Sequence, residues 1–325
     1  MDKRILVTGG CSFSTSGDNQ HQTWVDYIGQ KYDFRRYLHT GSPASGNELI
    51  AERVIYALQT LLDKGHSPND LYLGVVWSGI ERKELFITSV DTEKFNLLGK
   101  YSELDDSVKR EGENTLLISS YSGMVSNTSN VWKKNRKVHI LKEIAATPNG
   151  YLKSGGLPYK DDWWKTKPQR DYFNLWYDNF YSVEKQFIET LKSILLVQTF
   201  CERHNIKYFM SVWQNIFNAR NPIDEDYQYA GDLPPKSYGD ECVESRLHPK
   251  FVDVYSKNCQ FLWNTIDFDK FIFYENDKVI YGGITEYANV NKLEFWEDNA
   301  HVSYSGHKKF IDEYSEQIEE QWKIK

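Results

Sequence analysis

Residues Arg4–Asp18 read RILVTGGCSFSTSGD, and the fold turns on how this stretch is taken. A short apolar run, Ile5–Val7, ends in Gly9 and Gly10 and then in a cluster of small side chains: Cys11, Ser12, Ser14, Thr15 and Ser16. An apolar run bounded by glycines reads as a buried strand. In a parallel α/β sheet the chain leaves such a strand at the carboxyl end, where reactive groups collect. Glycines and hydroxyls at that place suit either a plain turn or a loop that presents a nucleophile or holds a phosphate. The phosphate alternative lacks the Gly-Lys-Ser/Thr ending of a P-loop, and no G-x-G-x-x-G dinucleotide fingerprint is present.

The chain downstream of this stretch alternates in period. Thr23–Tyr32 carries Trp24, Tyr27 and Ile28 at helical spacing, Phe34–Thr40 reads as a second strand, and Ile50, Val54, Leu58 and Leu61 mark a helix that stops at Gly65. Asp70–Gly79 is a third strand. This succession predicts βαβ units and a parallel sheet. From about Ile80 to Arg170 the periodicity is lost, a stretch too long for a simple loop and read as an insertion. Phe173, Trp176, Phe180, Val183, Phe187, Leu191 and Ile194 then predict one helix running to about Arg203, followed by a fourth strand at Ile206–Trp213. A second irregular block covers Asn215–Pro249. Val252–Trp263 is read as helical, Lys270–Tyr274 as an apolar run, and the chain closes on an amphipathic helix with Phe310, Ile311, Tyr314 and Ile318 on its face and Ser303 or Ser305 as N-cap. The expectation is a single α/β domain over residues 1–325 with insertions at about 80–170 and 215–250.

Composition narrows the class. Apolar residues at 40% and charged residues at 26% belong to a globular chain with a large core. A net charge of −7 argues against nucleic acid as a partner. Cys11, Cys201, Cys242 and Cys259 are scattered without a C-x-x-C pair, which suggests a reducing compartment and neither a disulfide framework nor a zinc site. His21, His39, His139 and His248 show no ligand spacing, so no metal or other cofactor is expected. No apolar run approaches a membrane span and the N-terminus lacks a signal-peptide pattern, so the expected location is cytoplasmic. The 10 Trp, 22 Tyr and 17 Phe include the pair Trp163–Trp164 beside Asp161 and Asp162, which is either a sugar platform or a hydrophobic clamp for the first insertion.

The chemistry sits at the other end of the chain. Before the last helix the sequence reads EDNAHVSYSGHKKF, with Asp298 and His301 three apart. A histidine that works as general base needs an acceptor on its other ring nitrogen, and a nearby Asp supplies one. Ser12, Asp298 and His301 would then form a triad in the order Ser…Asp…His if the loop after the first strand meets the loop before the last helix. His307, inside that helix, is read as helix surface or packing.

At these two blocks the chain resembles the SGNH (GDSL-type) hydrolases. GGCSFS is similar to their first block, Gly-Asp-Ser-x-Ser/Thr, and DNAHVSYSGHKKF to their last, Asp-x-x-His before the terminal helix. The resemblance implies a three-layer flavodoxin-like fold with a central parallel sheet, Ser12 as nucleophile, His301 as base and Asp298 as its orienter. The chain departs from the pattern at Cys11, where the family has Asp. The second block would lie in HTGSPASGNELI, where Ala44, Ser45 or Gly46 offers a main-chain N–H beside that of Ser12 for an oxyanion hole. The third block, Gly-x-Asn-Asp in the family, is WSGIERKE here: Gly79 is present and the Asn is not, so either Asn47 or Ser78 replaces it or the hole is weaker. Loss of one such donor costs roughly 2.7–4 kcal/mol of transition-state stabilisation. The implied reaction is hydrolysis of a small-molecule or glycan ester, with carbohydrate O-acetyl groups as the first expectation. The alternatives are an acyltransferase to a sugar hydroxyl and a non-catalytic binding or assembly module of the same descent.

Overall fold

The computed structural model describes residues 3–14, 22–34, 36–41, 45–87, 139–140, 150–153, 167–217, 259–276, 279, 281–296 and 301–324. Eight strands and seven α-helices are named from them: β1 (Ile5–Gly9), α1 (Trp24–Lys31), β2 (Arg36–His39), α2 (Asn47–Asp63), β3 (Leu71–Trp77), β4 (Glu84–Ile87), β5 (His139–Ile140), β6 (Gly150–Lys153), α3 (Lys167–Asn179), α4 (Val183–His204), β7 (Lys207–Val212), β8 (Phe271–Ile272), α5 (Ile284–Val290), α6 (Tyr304–Glu313) and α7 (Ser315–Trp322). The main sheet has six strands in the order β5-β2-β1-β3-β7-β8, and every pairing in it is parallel. Without the two-residue strand β5, the order is that of a flavodoxin-like sheet, and its direction of winding reverses between β1 and β3.

Strand residues alternate between two apolar layers, which is why the strands read as unbroken apolar runs. Leu71, Leu73, Val75 and Trp77 of β3 join Val54, Leu58, Leu61, Leu191, Ile194 and Val197 of α2 and α4 in one layer. Tyr72 and Val76 join Trp24, Ile28, Phe310, Ile318 and Trp322 of α1, α6 and α7 in the other. The sheet is thus flanked by helices on both faces, an α/β architecture compatible with a flavodoxin-like fold.

Two helices predicted as continuous are each divided. The helix read from Phe173 to Arg203 breaks at residues 180–182, because the Phe180 and Tyr181 N–H groups both turn back to the Trp176 carbonyl and the Ser182 hydroxyl caps α4 by accepting from the Lys185 N–H at 3.3 Å. Phe180 consequently lies 62% exposed instead of on the buried face. The closing helix divides at Tyr314 into α6 and α7, with Ser303 as the N-cap of α6. The first insertion carries more order than its composition suggests. β4 and β6 pair antiparallel, Glu84 against Lys153, and β5 adds to the outer edge of β2. Among residues 252–263, those at 259–263 are described and helical. The second insertion beyond Phe217, and Trp163–Trp164 in the first, lie outside the described residues.

Candidate active site

β1 ends at the reversal point of the sheet, and the next residues turn sharply. Gly10 has φ 156°, and a Cβ there would overlap the Ser14 hydroxyl and come within 3.0 Å of the Val76 carbonyl. A single 3₁₀ turn, Ser12–Ser14, follows, with the Ser14 N–H donating to the Cys11 carbonyl at 2.9 Å. The hydroxyls of the opening stretch divide their work. Ser14 is fully buried and accepts from the Trp24 indole N–H at 2.9 Å, pinning the turn to α1, while Ser12 stays partly exposed. Cys11 is fully buried in the α1–α6 layer. Gly10→Ala should cost about 1–3 kcal/mol through backbone strain and overlap. Urea unfolding checks this, and a variant as stable as wild type would show that the turn tolerates a side chain at that position.

His301 reaches the turn from the far end of the chain. Phe295 bridges Val302, the Trp296 N–H donates to the His301 carbonyl at 2.8 Å, and the Ser303 N–H donates to the Glu294 carbonyl at 3.0 Å, so residues 294–296 and 301–303 pair antiparallel before α6. From this pairing His301 Nε2 lies 2.9 Å from Ser12 Oγ. With the ring proton on Nδ1, the Ser12 hydroxyl donates to Nε2, the arrangement a serine and its general base require. The imidazole stacks on Phe13, with centroids 4.3 Å apart, and on Trp296 at 5.3 Å. His307, one turn into α6, is fully buried, and its pKa is lowered to about 3, by burial and then by the charge of His301. Asp298 lies outside the described residues.

The oxyanion candidates separate cleanly. Ser12 offers its main-chain N–H. Ala44 is outside the described residues. The Gly46 N–H donates to the buried Glu84 carboxylate. Asn47 is used as a brace: Nδ2 donates to the Ser78 carbonyl at 3.0 Å and to Thr190 Oγ1 at 3.0 Å, and Oδ1 accepts from the Ser78 N–H at 2.7 Å. Both of its amide hydrogens are committed. Gly79 packs against the Glu81 carboxylate. Two hydroxyls remain, those of Ser45 and Ser78, both buried and without a hydrogen-bond partner among the described residues. Ser78 lies three residues past Val75, the register partner of Gly9, and so belongs to the same carboxyl edge of the sheet as Ser12. Asn47→Ala would leave the buried Ser78 N–H unpaired and should cost about 2–4 kcal/mol. Denaturant titration reads this directly, and a loss below 0.5 kcal/mol (about the scatter of neutral surface changes) would contradict the brace.

The start of the first insertion folds against this site. Arg82 Nη1 donates to the Ser45 carbonyl at 3.2 Å, Lys83 pairs with Glu48 at 3.0 Å, and the Tyr177 hydroxyl donates to the Glu81 carbonyl at 2.7 Å. Sequence reading did not single out Glu81, Arg82 and Glu84, which are buried within the four-residue charged run Glu81–Glu84; burial of charged side chains is rare and no periodicity marks it. A separate groove of about 510 Å³, lined by Phe268, Phe273, Tyr281, Gln317 and Glu320, opens beside β8 and shares no residue with the Ser12–His301 pair. Among the described residues no three His, Cys, Asp or Glu side chains are grouped as metal ligands, and no helix is long and apolar enough to cross a membrane.

A serine and a histidine from opposite ends of the chain are thus hydrogen-bonded at the reversal point of a parallel sheet. No family model, curated protein or solved structure matches this chain.

Proposed function

We propose that this chain is a serine hydrolase of the SGNH type that cleaves acyl esters. The observation that carries the reading is the 2.9 Å contact between Ser12 Oγ and His301 Nε2, made by residues 289 positions apart at the carboxyl end of β1. In the proposed reaction Ser12 Oγ attacks the ester carbonyl and His301 takes its proton. The alcohol leaves with that proton, and water then hydrolyses the acyl-enzyme by the same route. Asp298, three residues before His301, is assigned to orient the ring. The Ser12 N–H and the Ser78 hydroxyl are assigned to the oxyanion. A glycan O-acetyl ester is the proposed substrate class, on the aromatic content of the chain and the habit of the family it resembles.

The second reading is a non-catalytic module. The commitment of the Gly46 N–H and the Asn47 amide to internal bonds favours it, because an oxyanion hole short of donors is slow. A fluorophosphonate probe separates the two. Covalent labelling of Ser12, lost in Ser12→Ala, supports the hydrolase, and an unlabelled wild-type protein supports the module. Acyl transfer to added sugar in place of water would identify a transferase.

A further inference from the structure

His301 is held by more than its serine. Trp213, at the end of β7, stacks on Phe13 with centroids 4.1 Å apart and planes 22° apart. Phe13 in turn stacks on His301 at 4.3 Å and 28°, and Trp296 stacks on His301 at 5.3 Å and 22°. Among the described residues Phe13 and Trp296 make no ring contact with each other, so they meet the imidazole from different sides. Each ring is fixed by a different piece of backbone. Phe13 belongs to the 3₁₀ turn that carries Ser12, whereas Trp296 is the cross-strand partner of His301 in the antiparallel pairing, held by its N–H bond to the His301 carbonyl at 2.8 Å. Directly opposed residues of an antiparallel pair share one face with their Cβ atoms close together, and aromatic pairs there interact favourably.

We infer that Trp296, together with Phe13, is a positioning residue for His301, fixing the plane of the ring and stabilising its cationic form. The inference rests on the hydrolase reading above. When Ser12 attacks, the Oγ–H bond breaks, an Nε2–H bond forms, and the ring acquires a positive charge while the carbonyl oxygen acquires a negative one. Aromatic faces attract that cation and do little for the neutral ring, so the contact is stronger in the transition state than before it. Stacking also removes rotation about the ring's own side-chain bonds, which keeps Nε2 aimed at Ser12 Oγ.

The test compares Trp296→Leu with Trp296→Phe. Trp296 is partly exposed, so both variants should melt with the wild type. The leucine variant should be labelled by a fluorophosphonate roughly tenfold more slowly, and turn over a small activated ester with a reduced kcat at unchanged KM, while phenylalanine restores most of the rate. A second readout needs no activity: in protein with ¹³C-labelled histidine, the His301 ring resonances, assigned by their loss in His301→Gln, should move in Trp296→Leu because the ring current of the indole is gone. Labelling of Trp296→Leu at the wild-type rate, or His301 resonances unchanged by the substitution, would overturn the inference. Failure of the wild type to label defeats the hydrolase reading instead, and the resonance comparison then decides the clamp by itself.

Discussion

Purified Ser12→Ala and His301→Ala are each expected to lose turnover of a small activated ester by on the order of 10⁶-fold, and the double variant to be little worse than either. The non-additivity follows from the geometry. Ser12 Oγ and His301 Nε2 share one hydrogen bond of 2.9 Å, so removing either end removes the same activated nucleophile. Asp298→Ala should be milder, on the order of 10⁴-fold, because its assigned work is to orient the ring and support its charge. Phe13 and Trp296 already contact the imidazole and, on the inference above, would share that work. Ser12 and His301 are both partly exposed and lie outside the two core layers, so stability should stay within about 1–2 kcal/mol. Initial rates and melting curves on the four purified variants check both halves. Full activity in Ser12→Ala would overturn the nucleophile assignment, and additive losses in the double variant would mean that the two residues do not act as a unit.

The pairing of Ser12 with His301 was legible because each half has a local signal. A buried strand that empties into glycines marks a βα loop, and a histidine just before a capped amphipathic helix marks a second loop able to meet it. The winding of the sheet was legible for a similar reason: β1, α1, β2, α2 and β3 switch period within a few residues of each other. The aromatic stack had no such signal. Trp296 and His301 face each other only because Phe295 pairs with Val302, and a register shifted by one residue would turn the tryptophan to the other side. The commitment of Gly46 and Asn47 was equally hidden. It depends on Glu84 and Ser78, which lie beyond the end of β3, and no periodicity encodes which of several nearby donors they will occupy. The β4–β6 pair escaped because its strands are four residues each and lie on either side of a long aperiodic segment. The break at Phe180 escaped because its apolar spacing continues the helix, while hydrogen bonds to the Trp176 carbonyl end it.

Mild acid should unfold this protein, and two buried histidines should be responsible. His39 at the end of β2 is fully buried, with Nδ1 bonded to Thr8 Oγ1 at 2.8 Å and Nε2 without a partner among the described residues. Its pKa is lowered from 6.5 to about 3, by burial and then by the charge of Arg53. His307 is lowered to about 3 by burial and then by His301, and neither of its ring nitrogens has a partner among the described residues. Both rings stay neutral in the folded chain while the unfolded chain protonates them near pH 6.5. Below that pH the unfolded state therefore binds more protons, and stability falls with falling pH until the folded rings titrate near pH 3. At pH 4.5 each ring costs roughly 3 kcal/mol, and the pair approaches the whole stability of an ordinary domain. Asp312 acts in a different window. Burial alone would raise its pKa, but Lys31 and the Tyr27 hydroxyl hold it below 3.8, so its contribution is lost only in stronger acid. Glu286 works with the opposite sign: burial raises its pKa against the bonds from the Asn215 and Gly283 N–H groups, and its protonation favours the folded state as the pH drops. The expected result is a cooperative acid transition between pH 6 and pH 4, within the window set by an unfolded pKa of 6.5 and folded values of about 3. In His307→Leu the midpoint should move down by roughly half a pH unit or more, because one of the two proton-uptake sites is gone. His39→Asn, which keeps a polar partner for Thr8, should move it in the same direction, and the double variant further still. Tryptophan fluorescence followed against pH reads the midpoint. Coincident transitions in wild type and both single variants would show that neither buried ring drives the unfolding.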